Sequence, residues 1–81
     1  MRAIVNIGLK QGVLDDQGKA THHTLDTIGF KEIVKDIRVK KQIVIELNCE
    51  TEEEAKTEVT KMCEQLLANT VIEDYEIIIE L

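Results

Sequence analysis

The stretch Glu32–Cys49, "EIVKDIRVKKQIVIELNC", decides the architecture. Its apolar residues alternate as in a strand with one buried face, yet it is longer than an ordinary strand and carries Lys40 and Lys41 near its middle. A hairpin with a two-residue turn at those lysines pairs Val39 with Gln42 and Ile37 with Val44. That pairing sets Ile43, Ile45 and Leu47 on the opposite face from Ile37 and Val39. Read straight through, Ile37, Val39, Ile43, Ile45, Leu47 and Cys49 share one face, and only Lys41 interrupts them. No Gly, Asn or Asp lies at the lysines to supply a tight turn. The segment 33–49 is therefore expected as one long bent strand, with a strand pair around a three-residue loop at 40–42 as the alternative.

Working outward, "RAIVNIGLK" sets Ala3, Val5, Ile7 and Leu9 against Arg2, Asn6, Gly8 and Lys10, the period of a half-buried strand broken only by Ile4. "QGVLDDQGKATHHTLDTIGF" offers Asp15 or Asp16 as a helix N-cap and the ladder Leu14, Gly18, Thr21, Leu25 and Ile28. Gly29 ends this helix in the manner of a Schellman motif, with Phe30 packing back on Leu25. "TEEEAKTEVTKMCEQLLAN" reads as a helix with a Thr51/Glu54 capping box and acids at its positive end. Its apolar stripe is Ala55, Val59, Met62, Cys63 and Leu66, and Asn69 is a suitable stop. "YEIIIEL" alternates Tyr75, Ile77, Ile79 and Leu81 against Glu76, Ile78 and Glu80. The order strand, helix, central segment, helix, strand predicts an α+β fold in one domain over 1–81, an open, mainly antiparallel sheet with both helices on one face.

On the face away from the helices, Ile4, Val44 and Ile78 project from three different strands among polar neighbours. An apolar cluster on an uncovered sheet face points to contact with another chain. If the long strand overhangs the sheet, its unpaired edge can pair with a second copy. A chain of 81 residues buries only about 60–65% of the surface its unfolded form exposes, so it gains from such association.

Charge narrows the function further. The net charge of −6 argues against general nucleic-acid binding. It is unevenly spread: residues 1–49 hold eight Lys/Arg and six Asp/Glu, a net of +2, and residues 50–81 hold two and ten, a net of −8. Such polarity orients partners. Lys31, Lys35, Arg38, Lys40 and Lys41 concentrate half of the basic residues in eleven positions, where they protect a strand edge or meet an acidic partner. No long apolar run, signal segment or lipidation motif is present, which predicts a cytoplasmic chain with no membrane contact.

Catalytic groups are not assembled by the spacing. Adjacent His22 and His23 point about 100° apart on a helix and suit neither one metal nor an acid–base pair. Cys49 and Cys63 lack ligand spacing and fall on apolar positions, where cysteine acts as a small hydrophobe. "GVLDDQG" is no phosphate loop, there is no serine, and the Glu52–Glu54 run is explained by the helix end. No catalytic, cofactor-binding or metal-binding residue is expected. Glu73, Asp74 and the Tyr75 hydroxyl, displayed where the last strand begins, are read as partner contacts or turn-fixing groups. Arg38, Lys40 and Lys41 join Ile4, Val44 and Ile78 as the other candidate contacts.

Cys63, Glu64, Leu66 to Asn69 and Val71 to Tyr75 resemble the C-terminal signature of the PurS family, the small subunit of phosphoribosylformylglycinamidine synthase. "LKQGVLDDQGKA" is similar to that family's first loop and helix, and "DIRVKK" to its basic central strand. Asp16, Lys40 and Thr70 depart from the family's usual proline, glycine and proline. The resemblance implies a PurS-like fold related to the ferredoxin-like one and a non-catalytic subunit of an ATP-dependent, glutamine-dependent amidoligase of purine biosynthesis. The complex converts formylglycinamide ribonucleotide to formylglycinamidine ribonucleotide. It also implies self-association and bridging of a large synthetase subunit, which holds ATP and Mg²⁺, to a glutaminase subunit whose ammonia must reach it. The competing expectation is a free-standing, oligomeric small-molecule-binding regulatory module.

Overall fold

The computed structural model describes residues 1–81. Three antiparallel strands, β1 (Arg2–Leu9), β2 (Lys41–Glu46) and β3 (Glu73–Glu80), lie in the order β2-β1-β3. Helix α1 (Asp16–Leu25) follows β1 and helix α2 (Glu52–Met62) follows β2. Alternation sends Ala3, Val5 and Ile7 of β1 to one face, where they meet Val59 and Cys63 of the second helical segment and Ala68 beyond it. Ile43, Ile45 and Leu47 from one side and Tyr75, Ile77 and Ile79 from the other close this single core.

The central segment obeys the straight-through phase. Ile37, Val39, Ile43, Ile45, Leu47 and Cys49 are all half-buried and the residues between them exposed. The chain does not fold back at Lys40-Lys41 as a hairpin. Ladder pairing begins at Lys41 opposite Ile7, two residues before β1 ends, because Val39 N–H is taken by Asp15 and Leu9 O by Arg38. Residues 34–40 continue as an unpaired arm. Lys41, the one misfit in the apolar row, reaches Glu73 with its ammonium (3.9 Å).

Helix α1 docks on this arm, with no close approach to a strand comparable to that of α2 on β3. Asp15 joins the two: its carboxylate accepts from Gly18 N–H (2.8 Å), capping α1, and from Val39 N–H (2.8 Å) on the arm. These two donors, with the Arg38 charge, hold the buried Asp15 carboxyl below its ordinary value of 3.8. The clasp therefore contributes stability above that pH and loses it as pH falls below. Gly18 fits tightly, since a Cβ there would lie 2.6 Å from the Ile37 carbonyl oxygen.

Two expectations fail at helix ends. Leu66 is 83% exposed and Met62 37%, so neither anchors α2. Past Met62 the helix widens into one π-type turn, Cys63–Leu67, with Ala68 N–H bonded to Cys63 O. The added residue rotates Leu66 outward and brings Leu67 against the core in its place. Gly29 does take the left-handed conformation (φ 110°), but Phe30 stays exposed and its carbonyl accepts from Ile33 and Val34 N–H, so the glycine opens a further turn. Leu14 and Ile28 of the proposed ladder are exposed as well, leaving Gly18 and Leu25 as its buried and half-buried members. Thr51 caps α2 by accepting from Glu54 N–H (3.1 Å), while the return bond of a full capping box is not made.

The molecule measures 50 × 26 × 14 Å with a radius of gyration of 16.2 Å. A compact chain of this length has a radius near 12 Å. Replacing Gly18→Ala, which in a free helix stabilises by about 0.5–1 kcal/mol, is expected to destabilise this protein in urea unfolding, because the arm blocks the added methyl. Leu66→Ala should shift stability by no more than about 0.5 kcal/mol, against roughly 2–5 kcal/mol for Ile7→Ala.

Candidate interaction surfaces

The face of the sheet away from α2 is built in rows across the strands. Ile4 pairs with Val44 on one side and Ile78 on the other, so the three predicted apolar residues form one continuous row. Val44 is 52% and Ile78 43% exposed. A charged row bounds it at one end: Arg2 lies between Glu46 and Glu80, with Nε donating to Glu46 (2.9 Å) and Nη1 3.7 Å from Glu80. The hydrogen bond to Glu46 and the two negative charges raise the Arg2 pKa further. An amide row bounds the other end, where Gln42 Nε2 donates to Asn6 Oδ1 (2.9 Å) and Asn6 Nδ2 to Glu76 (3.3 Å). Sequence reasoning found the apolar row but not the two rows that frame it. Those depend on cross-strand register.

The second surface is the arm. Between Lys35 and Lys40 the only backbone group with a partner inside the chain is Val39 N–H. Arg38 ties the arm to the end of β1, its Nη2 donating to Leu9 O (2.8 Å). The methylenes of Lys40 lie over Gly8, where a Cβ would come within 2.9 Å of them. Between arm and sheet runs an open groove of about 410 Å³ whose charged lining is mixed, Arg38 and Lys40 facing Asp36, Asp74 and Glu76. Lys41, grouped with these cations in the sequence, points to the other face.

The Glu73, Asp74 and Tyr75 group is split by the strand. Glu73 fixes the preceding turn, accepting from Asn69 N–H (2.7 Å) and pairing with Lys41. Asn69 Oδ1 accepts from Val71 N–H (3.2 Å) in the same turn. Asp74 turns to the opposite face and stands 4.0 Å from Lys10. The Tyr75 hydroxyl donates to Glu64 (2.6 Å), tying β3 to the wide turn after α2. Of the three, only Asp74 is left largely to solvent.

The reactive side chains are turned to structural use. Burial, and then the Glu64 charge, push the Cys63 thiol up, which keeps it protonated and a poor nucleophile. His22 lies 3.3 Å from Val34 O and 3.6 Å from Asp26, at the join of α1 and arm, while His23 is exposed. No group of three or more His, Cys, Asp or Glu side chains is arranged to hold a metal ion. No helix is long and apolar enough to cross a membrane.

A three-stranded sheet covered by a helix on one face, with its other face bare and an arm that pairs with nothing in the chain, has the build of a module that docks on other chains. Residues 2–81 match the family model PurS, phosphoribosylformylglycinamidine (FGAM) synthase. The FGAM synthase subunit PurS of Methanocaldococcus jannaschii is 46% identical over 79 residues, covering 98% of this chain and 94% of that one. That of Bacillus subtilis is 41% identical over 76 residues, covering 94% and 88%. The crystal structure of the M. jannaschii protein superimposes with a TM-score of 0.89 over 98% of this chain and 94% of that one. A chain of the PurLQS structure from Thermotoga maritima, 30% identical, does so with 0.84 over 95% and 93%. The chain belongs to the PurS family of FGAM synthase subunits.

Tyr75 is the only tyrosine, so its titration can be read directly by absorbance. The hydrogen bond to Glu64, then burial and negative charge, push its pKa from 10.0 up to about 12. A raised pKa favours the protonated hydroxyl in the folded state. The tie is therefore fully present below pH 10 and is lost as pH rises towards 12. Glu64→Gln should bring the midpoint back towards that of the unfolded chain.

Proposed function

We propose that the chain acts as one domain over residues 1–81 and joins the synthetase and glutaminase subunits of FGAM synthase, so that ammonia released on one reaches the other. ATP and Mg²⁺ belong to the synthetase subunit in this reading, and the complex works in the cytoplasm. Ammonia released into water at neutral pH is protonated and ceases to be a nucleophile, so the joint between the catalytic subunits must be closed to solvent. The chain's contribution is that closure, made by its surfaces.

The observation that carries this reading is surplus surface. The chain exposes 6066 Å². A compact monomer of 9.2 kDa exposes roughly 4,900 Å². The excess is on the order of the 800 Å² that a partner contributes to a standard interface.

Self-association uses the arm. In two central strands paired antiparallel about a two-fold axis at residue 40 or 41, odd positions face odd positions. Ile37 and Val39 of one copy then fall beside Ile43 and Ile45 of the other on the same face, a phase that the two-residue hairpin within one chain cannot achieve. Each arm thereby pairs the backbone groups left open in the monomer. The contacts assigned to this function are Ile4, Val44 and Ile78 on the bare face, and Arg38, Lys40 and Asp74 at the groove. Lys41, Glu73 and Tyr75 act by holding the strands in place.

Removing this subunit from the reconstituted complex is expected to abolish glutamine-dependent amidation while ammonia-dependent activity of the synthetase persists. Undiminished glutamine-dependent turnover in its absence would overturn the bridging role. Sedimentation of the isolated chain is expected to give a multiple of 9.2 kDa.

A further inference from the structure

We propose that the bare face of the sheet receives a basic, amphipathic α-helix of a partner subunit, laid across the strands along the Val44–Ile4–Ile78 row. This rests on the assembly role proposed above and specifies the chemistry of one of its contacts.

The dimensions suit a helix. Neighbouring strands are about 4.8 Å apart, so the three-residue row is about 10 Å long, close to two helical turns. The charged and amide rows stand two residues away along the strands on either side, about 7 Å each. They leave a trough about 14 Å wide between them, and a helix with its side chains is about 10–12 Å across. An apolar stripe at i, i+3 or i+4, and i+7 would cover the row.

Charge selects the occupant. The bounding row Glu46, Arg2, Glu80 has two acids and one arginine, net −1. The row Gln42, Asn6, Glu76 has one acid and two amides, also net −1. In a two-fold stacking that runs the apolar row of one copy along that of another, a net −1 row meets a net −1 row. A second copy is therefore disfavoured on this face, whereas Lys or Arg flanking an apolar stripe meets an acid on both sides. Arg2 and Asn6 are already engaged with these carboxylates, which holds the rim in place before docking.

The test uses the full chain with purified synthetase and glutaminase subunits, singly and together, and measures affinity at low and high salt. Val44→Lys with Ile78→Lys should weaken capture by about tenfold or more, as loss of a central anchor does, with the homo-oligomer mass and circular dichroism unchanged. Glu46→Gln, Glu76→Gln and Glu80→Gln together should weaken binding several-fold and flatten its salt dependence. If the lysine pair does not fold, the glutamine variant decides alone. A photo-cross-linker attached at Val44→Cys should map to a helix with an apolar stripe and flanking Lys or Arg. Wild-type affinity and salt dependence in both variants, dissociation of the homo-oligomer, or cross-linking to an acidic or non-helical segment would overturn the proposal. If the unaltered chain binds neither subunit, the assembly role itself fails, and the docking with it.

Discussion

Everything in this molecule leans on one contact, that between the inward row of β1, Ala3, Val5 and Ile7, and the second helical segment at Val59 of α2 and Cys63 just past its end. Cys63 fills this line without bringing a polar group that needs a partner. β1 is central because only it has strands on both sides, so its pairing and its packing are lost together. The rest of the chain has no second layer beneath it. Its exposed apolar groups, the bare face and the open arm all follow from the thinness of that core.

The parity of the central segment is legible in the sequence, since a side-chain period of two leaves no freedom once one face is buried. The same alternation located Ile4, Val44 and Ile78 on one face, and the register then made them neighbours. Helical spacing misplaces Leu66 because its position on the helix depends on whether the last turn holds its usual number of residues. The backbone bond from Ala68 to Cys63 has no mark in the local sequence. The seat of α1 was likewise hidden. An ordinary amphipathic pattern implied a sheet beneath it, while the clasp of Asp15 on Val39 spans 24 positions and can be seen only in the fold.

Glu73 and Lys41 show how a candidate site is reduced by structure. Each looked available in the sequence, one as an acid at a strand entry and the other as a cation in a basic run. Together they close across β1 and brace the turn at Asn69. Lys40 and Asp74, their immediate neighbours, face the other way and stay open to the groove. The pleat thus separates groups that maintain the fold from groups that can meet another protein, although four residues lie in two adjacent pairs.

Because helix α2 covers one side of the sheet and nothing in the chain covers the other, the molecule has a front and a back. Pairing two copies along their arms, with odd positions against odd, is a rotation within the plane of the sheet, so it brings front beside front and back beside back. The pair would be a wider plate that keeps its handed pair of sides, with the bare face doubled in extent and the helices gathered opposite. A spacer of that kind can present different ground to two different neighbours while remaining symmetric in itself. Direction across the assembly then needs no additional recognition element.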